Sequence, residues 1–249
     1  MKTFRFFVVL LLTLCVVGCS SLPAVYTQPK GPIAGFTHAM IRKQNGFKEF
    51  RKKLLQEHGM KKSDFMRMST DSAWHLSCAE RERLHKFRVS IPKPDSTTLF
   101  QKVIPMDRFE HFKANDEWAR LGGFVAVAAD VKMLQTSKEV YYGLRLDYEG
   151  TSFTPTDKEY AVIRFYSNQT EHLRIPFCKE MGGTEDHSWP CSGGGFTTCS
   201  LGYGGLPEWV FDVTLTPKEG SEIYVINRKG KEKLALVYKN GRWVEPSQL

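Results

Sequence analysis

The chain has 249 residues, 35 Lys and Arg against 27 Asp and Glu, and a formal net charge of +8. That length suits one large domain, or one domain with a helical extension. The basic residues form no stripe interleaved with aromatics, which argues against a nucleic-acid surface.

Lys2 and Arg5 are the only charged residues before Lys30. Phe6 to Val17 is apolar except for Thr13, too short for a bilayer-spanning helix, which needs about 20 residues. A basic tip, a short apolar run and small residues after it make a secretory signal peptide. The run ends Val16-Val17-Gly18-Cys19, which resembles the lipobox of bacterial lipoproteins. The resemblance implies cleavage between Gly18 and Cys19, a thioether-linked diacylglycerol on Cys19 and an acyl chain on its freed amine. The residues also admit an ordinary cleaved signal peptide or an uncut anchor. Burial of acyl chains stabilises by about 0.8 kcal/mol per methylene, so several chains hold a protein without further contacts. Ser20 in place of Asp implies, within the same resemblance, transfer to the outer membrane with the protein facing the periplasm. The partners expected are membrane lipid, through the acylated N-terminus, and an envelope protein; export argues against nucleic acid. Removal of residues 1–18 takes the net charge from +8 to +6. Residues 19–35 carry three prolines and two glycines and read as a lipidated N-terminus and tether. Residues 36–249 read as a single domain, helical over about 45–121 and β-rich over about 124–246.

In "NGFKEFRKKLLQEHG", Phe47, Phe50, Leu54 and Leu55 fall on one face at helical spacing. Asn45 is placed to cap the start and Gly59 to end it. The other face carries Lys48, Arg51 and Lys52, which suits a surface helix packed on the domain or one lying on a membrane. "STDSAWHLSCAERERLHKF" predicts a second helix capped near Thr70 or Asp71. "PMDRFEHFKANDEWARLGG" predicts a third, with Asp107 and Glu110 at capping-box spacing and Gly122-Gly123 as its stop. Phe109, Phe112 and Leu121 would supply its apolar contacts.

The remaining runs are strand-like: "FRVSI", "TLFQKVI", "FVAVAADVKML", "EVYYGLRLDY", "EYAVIRFYS", "HLRIPF", "WVFDVTLTP", "EIYVIN", "EKLALVY" and "RWVE". Turn signals separate most of them, and Asn240-Gly241 suits a two-residue hairpin. The expected fold class is α+β, N-terminal helices packed on a largely antiparallel sheet.

Residues 178–209 hold eight glycines and read as a long loop. Glu185, Asp186, His187 and Trp189 could line a binding surface there; the alternative is a tied loop without ligand. Cys78, Cys178, Cys191 and Cys199 are an even set in an oxidising compartment, which predicts two disulfides. Of three pairings, Cys191 with Cys199 and Cys78 with Cys178 is the expected one. The spacings form no CxxC pair, so no metal is expected.

One enzyme reading is concrete. Arg145 in "YYGLRL", Thr197, Thr198 and Ser200 in "GFTTCS", and Glu232 in "GKEKLAL" are similar to the arginine, Ser-Thr-Ser and glutamate strands of toxin-type ADP-ribosyltransferases. The resemblance implies NAD as cofactor. Arg145 would hold its pyrophosphate, Thr198 and Ser200 would shape the nicotinamide pocket, and Glu232 would stabilise the oxocarbenium-like state. The departures are Cys199 inside the middle motif, Gly230 where the pattern has Glu or Gln, and Pro207, which disfavours the helix that follows the hydroxyl strand in that family. Otherwise no cofactor is expected, and the reading preferred is a membrane-anchored envelope lipoprotein that acts as a binding or assembly accessory rather than an enzyme. His75 and Cys78, three apart on a predicted helix, would matter as a base and nucleophile only with Cys78 as a free thiol.

Overall fold

The computed structural model describes residues 35–70, 72–186 and 191–249. Gly18, Cys19, the tether to residue 34, Asp71, His187 and Trp189 lie outside the described residues. The fold is α+β. In chain order come α1 (His38–Ile41), α2 (Phe47–Glu57), α3 (Lys62–Thr70), α4 (Cys78–Val89), β1 (Phe100–Ile104), α5 (Met106–Ala114), β2 (Leu121–Val127) and α6 (Ser137–Gly143). There follow β3 (Glu159–Phe165), β4 (Leu173–Arg174), β5 (Trp209–Leu215), β6 (Glu222–Asn227), β7 (Glu232–Lys239) and β8 (Arg242–Val244). The strands make one eight-stranded sheet in the order β4-β5-β2-β1-β3-β6-β7-β8. Each neighbouring pair is antiparallel.

Two apolar cores cover the two faces of the sheet. Phe47, Phe65, Phe87 and Phe112 of α2 to α5 pack with Phe100, Ile163 and Phe211 on one side. On the other, Ile41 of α1, Val140 of α6 and Phe153 pack with Val162, Tyr224 and Ile226. Burying such side chains contributes about 1.5–3 kcal/mol each, the main favourable term in a domain of this size.

Helix α2 forms where its apolar spacing predicts, but Gly46 rather than Asn45 precedes it. The Gly46 amide donates to Glu49 at 2.9 Å, and the Phe47 amide donates to the buried Asp130 carboxylate. Its basic face is interrupted, because Arg51 is buried and donates to the Gly205 carbonyl at 2.9 Å. Arg51 thus joins the packed face beside Phe47, Leu54 and Leu55, while Lys48 and Lys52 stay exposed. The second predicted helix is two. Chain reversal after α3 leaves a separate α4, started by a capping box in which Ser77 accepts from the Glu80 amide and Glu80 from the Ser77 amide. Part of "FRVSI" is the last turn of α4, because Leu84 and Phe87 must face the core together. Helix α5 stops at Asn115, which takes a left-handed φ of 54°. Pro105 precedes it, so no side chain caps it, and Gly122-Gly123 lies inside β2 instead.

The run "EVYYGLRLDY" is not a strand. Thr136 and Glu139 form a capping box that starts α6, and local capping outweighs the β-propensity of Val140, Tyr141 and Tyr142. In "HLRIPF" only Leu173 and Arg174 are strand. "FVAVAADVKML" leaves the sheet after Val127. Asn240 and Gly241, at φ of 51° and 79°, close the β7–β8 hairpin as expected.

A buried polar network ties the start of the domain to the sheet. Arg164 on β3 donates to Glu232 at 2.8 Å, to Gln101 at 3.0 Å and to the Phe36 carbonyl. Its guanidinium stands 4.7 Å from the Tyr224 ring centre. Glu222 accepts from the Phe36 amide and from the Tyr224 hydroxyl.

Candidate functional site

Strand β1 pairs along its whole length with β3, five residues against five. With β2 it pairs only at Phe100 with Val127 and Gln101 with Ala126. Beyond those pairs the ladder stops. The cause lies in β2, where the register with β5 shifts between Gly122 and Gly123. These residues have φ of +145° and +67°, which glycine adopts without strain. A Cβ on Gly122 would stand 2.5 Å from the Val213 carbonyl oxygen. The bulge bends β2 away from β1, as bulges do.

The fork between the strands opens into a cleft of about 670 Å³, within the roughly 300–1,000 Å³ of small-ligand sites. Val103, Phe124 and Val210 of the strands give it apolar walls, with Leu144, Leu146 and Phe153 from the segment after α6. Lys102, Arg108, Arg120 and Arg145 supply positive charge, and Glu208 and Asp212 negative. Lys102 is the residue at the fork. Its ammonium donates to the Phe124 carbonyl at 3.0 Å, where a continued ladder would place a backbone amide. Burial, with the Arg108 charge beside it, pushes its pKa down to about 8.

The charges are unevenly matched. Arg145 pairs with Asp147 at 2.8 Å. Asp212 pairs with His172 and Arg174. Glu208 is buried and accepts from the Ser192 amide and hydroxyl at 2.9 and 2.6 Å; burial pushes its pKa up. Among the described residues no carboxylate ion-pairs with Lys102, Arg108 or Arg120. Arg108 and Arg120 donate only to backbone carbonyls, of Arg120 and Glu117, and both are exposed. Arg120 also lies 5.8 Å from the ring centre of Trp118, which is 57% exposed. The cleft thus joins apolar walls to a cationic cluster that lacks counter-charge.

The glycine-rich segment is held by arginines. Buried Arg88 of α4 donates to the carbonyls of Gly194 and Met181 at 2.8 and 3.0 Å and stacks 3.5 Å from the Phe177 ring centre. Burial lowers its pKa to about 10. Arg51 holds Gly205 as described, and Ser69 meets the Thr198 hydroxyl at 2.7 Å. Phe196 is fully buried, edge-on to Phe65. Glu185 is buried and ion-pairs with Arg174, while Asp186 is exposed. Of the four described cysteines, Cys78 is exposed, Cys178 and Cys199 are buried, and Cys191 is half-buried. The Cys178 amide donates to the carbonyl of Gly193, two residues past Cys191. The Cys178 sulfur is one of the charges bearing on Cys191, whose pKa burial pushes up to about 11. Cys78 opens α4 and receives a hydrogen bond from Arg81 at 3.2 Å.

The residues of the NAD-like pattern divide between two places. Arg145 is in the turn after α6, at φ of 53°, not on a strand. It donates to the Thr198 carbonyl at 3.2 Å, so those two residues do meet. The Thr198 side chain is fully buried against Ser69, and Ser200 is exposed in a turn. Glu232 is on β7, held by Arg164 and by the His38 amide. It lines a separate, much smaller cavity with Tyr160 and Gln135. Its carboxylate neutralises a buried arginine there.

No protein-family model matches the chain, and no curated protein or solved structure matches it. Among the described residues no group of three or more His, Cys, Asp or Glu is placed to hold a metal ion.

Lys102, Arg108, Arg120 and Phe124 were not singled out by sequence reasoning. The available signal was Lys102 standing within an apolar strand run, four residues before an Arg-bearing helix. The glycine pair in "LGGFVAV" reads equally as a helix stop or a bulge.

Proposed function

We propose that this chain is a bacterial envelope lipoprotein, anchored through acylated Cys19, whose folded part binds a ligand in the cleft between β1 and β2. The anchor rests on Val16-Val17-Gly18-Cys19 and on the basic, short apolar run before it. The binding role rests on one observation above all: three cations, Lys102, Arg108 and Arg120, line a ligand-sized apolar cleft without a carboxylate partner. Lys102, taken out of water at the fork, and the solvent-facing Arg108 and Arg120 leave donors free for an anion beside an apolar wall.

The test has two parts. Wild-type protein should fractionate with membranes and show an intact mass beginning at Cys19 plus acyl chains, and Cys19→Ser should release it from the membrane. Arg120→Glu with Arg108→Glu should weaken binding of a fluorescent alkyl carboxylate at least tenfold. An unlipidated wild-type mass would defeat the anchor. An unchanged affinity in the double variant would defeat the cleft.

A further inference from the structure

Resting on that reading, we propose that the ligand is an anionic amphiphile with one head group and one acyl chain. Its carboxylate or phosphate would sit among Lys102, Arg108 and Arg120, and its chain would run along Val103, Phe124, Leu144, Leu146 and Phe153.

The shape and the charge agree on this. The cleft has one unpaired charge cluster, so a ligand with a single anionic group satisfies it. A ligand with several acids would meet Glu208 and Asp212, which also line the cleft. Lys102 uses one of its three donors on the Phe124 carbonyl, leaving two for an anion. Arg108 and Arg120 keep guanidinium donors beyond their carbonyl contacts, and arginine grips carboxylate and phosphate through paired bonds. The side chains of the remaining wall named above are aliphatic and aromatic, which bind methylenes. The volume admits a single chain but no folded partner. The exposed rings of Tyr148, at the cleft, and Trp118, beside Arg120, are of the kind that sit where apolar and wet surroundings meet.

Calorimetric titration of the purified full chain with acetate, octanoate, decanoate and dodecanoate tests it, with octyl and decyl phosphate as the second head group. The affinity should rise about threefold to fourfold for each added methylene until the cleft is filled. Arg120→Gln, an exposed and structurally mild change, should lower affinity at every chain length by a similar factor. Leu146→Asn should flatten the chain-length dependence and leave the weak acetate affinity alone. Equal affinity for acetate and dodecanoate would overturn the amphiphile and leave a simple anion site. Tighter binding of a short acidic peptide than of any alkyl acid would overturn it in favour of a peptide ligand. No binding of any anion would overturn the proposed function itself.

Discussion

Two charged side chains, buried Asp130 and half-buried Lys102, carry opposite lessons about single residues. Asp130 accepts from the Phe47 amide, but its second oxygen has no partner. Burial, together with the Glu49 charge and against the Phe47 hydrogen bond, pushes its pKa up from 3.8 to about 7. The native state therefore holds this proton more tightly than the unfolded chain. Its contribution is fully present below pH 4 and is lost as the pH rises to 7. Asp130→Asn should remove a slope on the order of 4 kcal/mol over that window, read from urea unfolding at pH 4 and pH 7. Lys102 works in the other direction. Its pKa falls from 10.5 to about 8, so the unfolded chain binds the proton more tightly between those values. Wild-type stability should gain with pH across pH 8 to 10.5, and Lys102→Met should abolish that gain. At pH 7 the same variant should be more stable by about 1 kcal/mol, after allowance for its partial exposure, yet bind anions poorly. Stability gained where function is lost is the expected mark of a binding residue. Neither group was legible in the sequence, because burial of a charge depends on strands distant in the chain.

Elements were legible where one local rule acted alone. The apolar spacing of α2, the hairpin at Asn240-Gly241 and the alternating β3, β5, β6 and β7 follow from pattern. The errors came where two local rules competed. Thr136 and Glu139 cap α6 inside a run that reads as strand, and that helix carries Leu144 to Leu146 to the cleft wall. Gly122-Gly123 reads as a helix stop and is a bulge. That bulge has a direct test. Gly122→Ala would set a Cβ 2.5 Å from the Val213 carbonyl oxygen at a φ of +145°, a strain of about 1–3 kcal/mol. Thermal unfolding should show that loss, and ligand affinity should fall with it because the fork depends on the bend.

At the scale of the molecule, the sheet is held at both of its faces by side chains that the sequence presents as surface charge. Arg164 joins Phe36, Gln101 and Glu232; Arg51 and Arg88 hold the glycine-rich segment through its carbonyls. Arginine contacts to carbonyls thus hold a segment whose cysteines were expected to form disulfides. Arg164→Met should destabilise by about 2–3 kcal/mol, since it leaves the half-buried Glu232 without its cation. Denaturant titration would show the loss, and Glu232→Gln in the same background should recover part of it. The α+β class was legible from the succession of helical and alternating runs. Helices on both faces were not, because α6 lies within the β-rich part.

The central claim is that an envelope-anchored domain carries a ligand at the β1–β2 fork. Its most direct test is the mass of the intact, folded protein released gently from envelopes, compared between wild type and the Lys102→Met, Arg120→Gln double variant. The prediction is an acylated chain beginning at Cys19 in both, with an additional small anionic species bound only to the wild type. The same species bound equally to both proteins would contradict it.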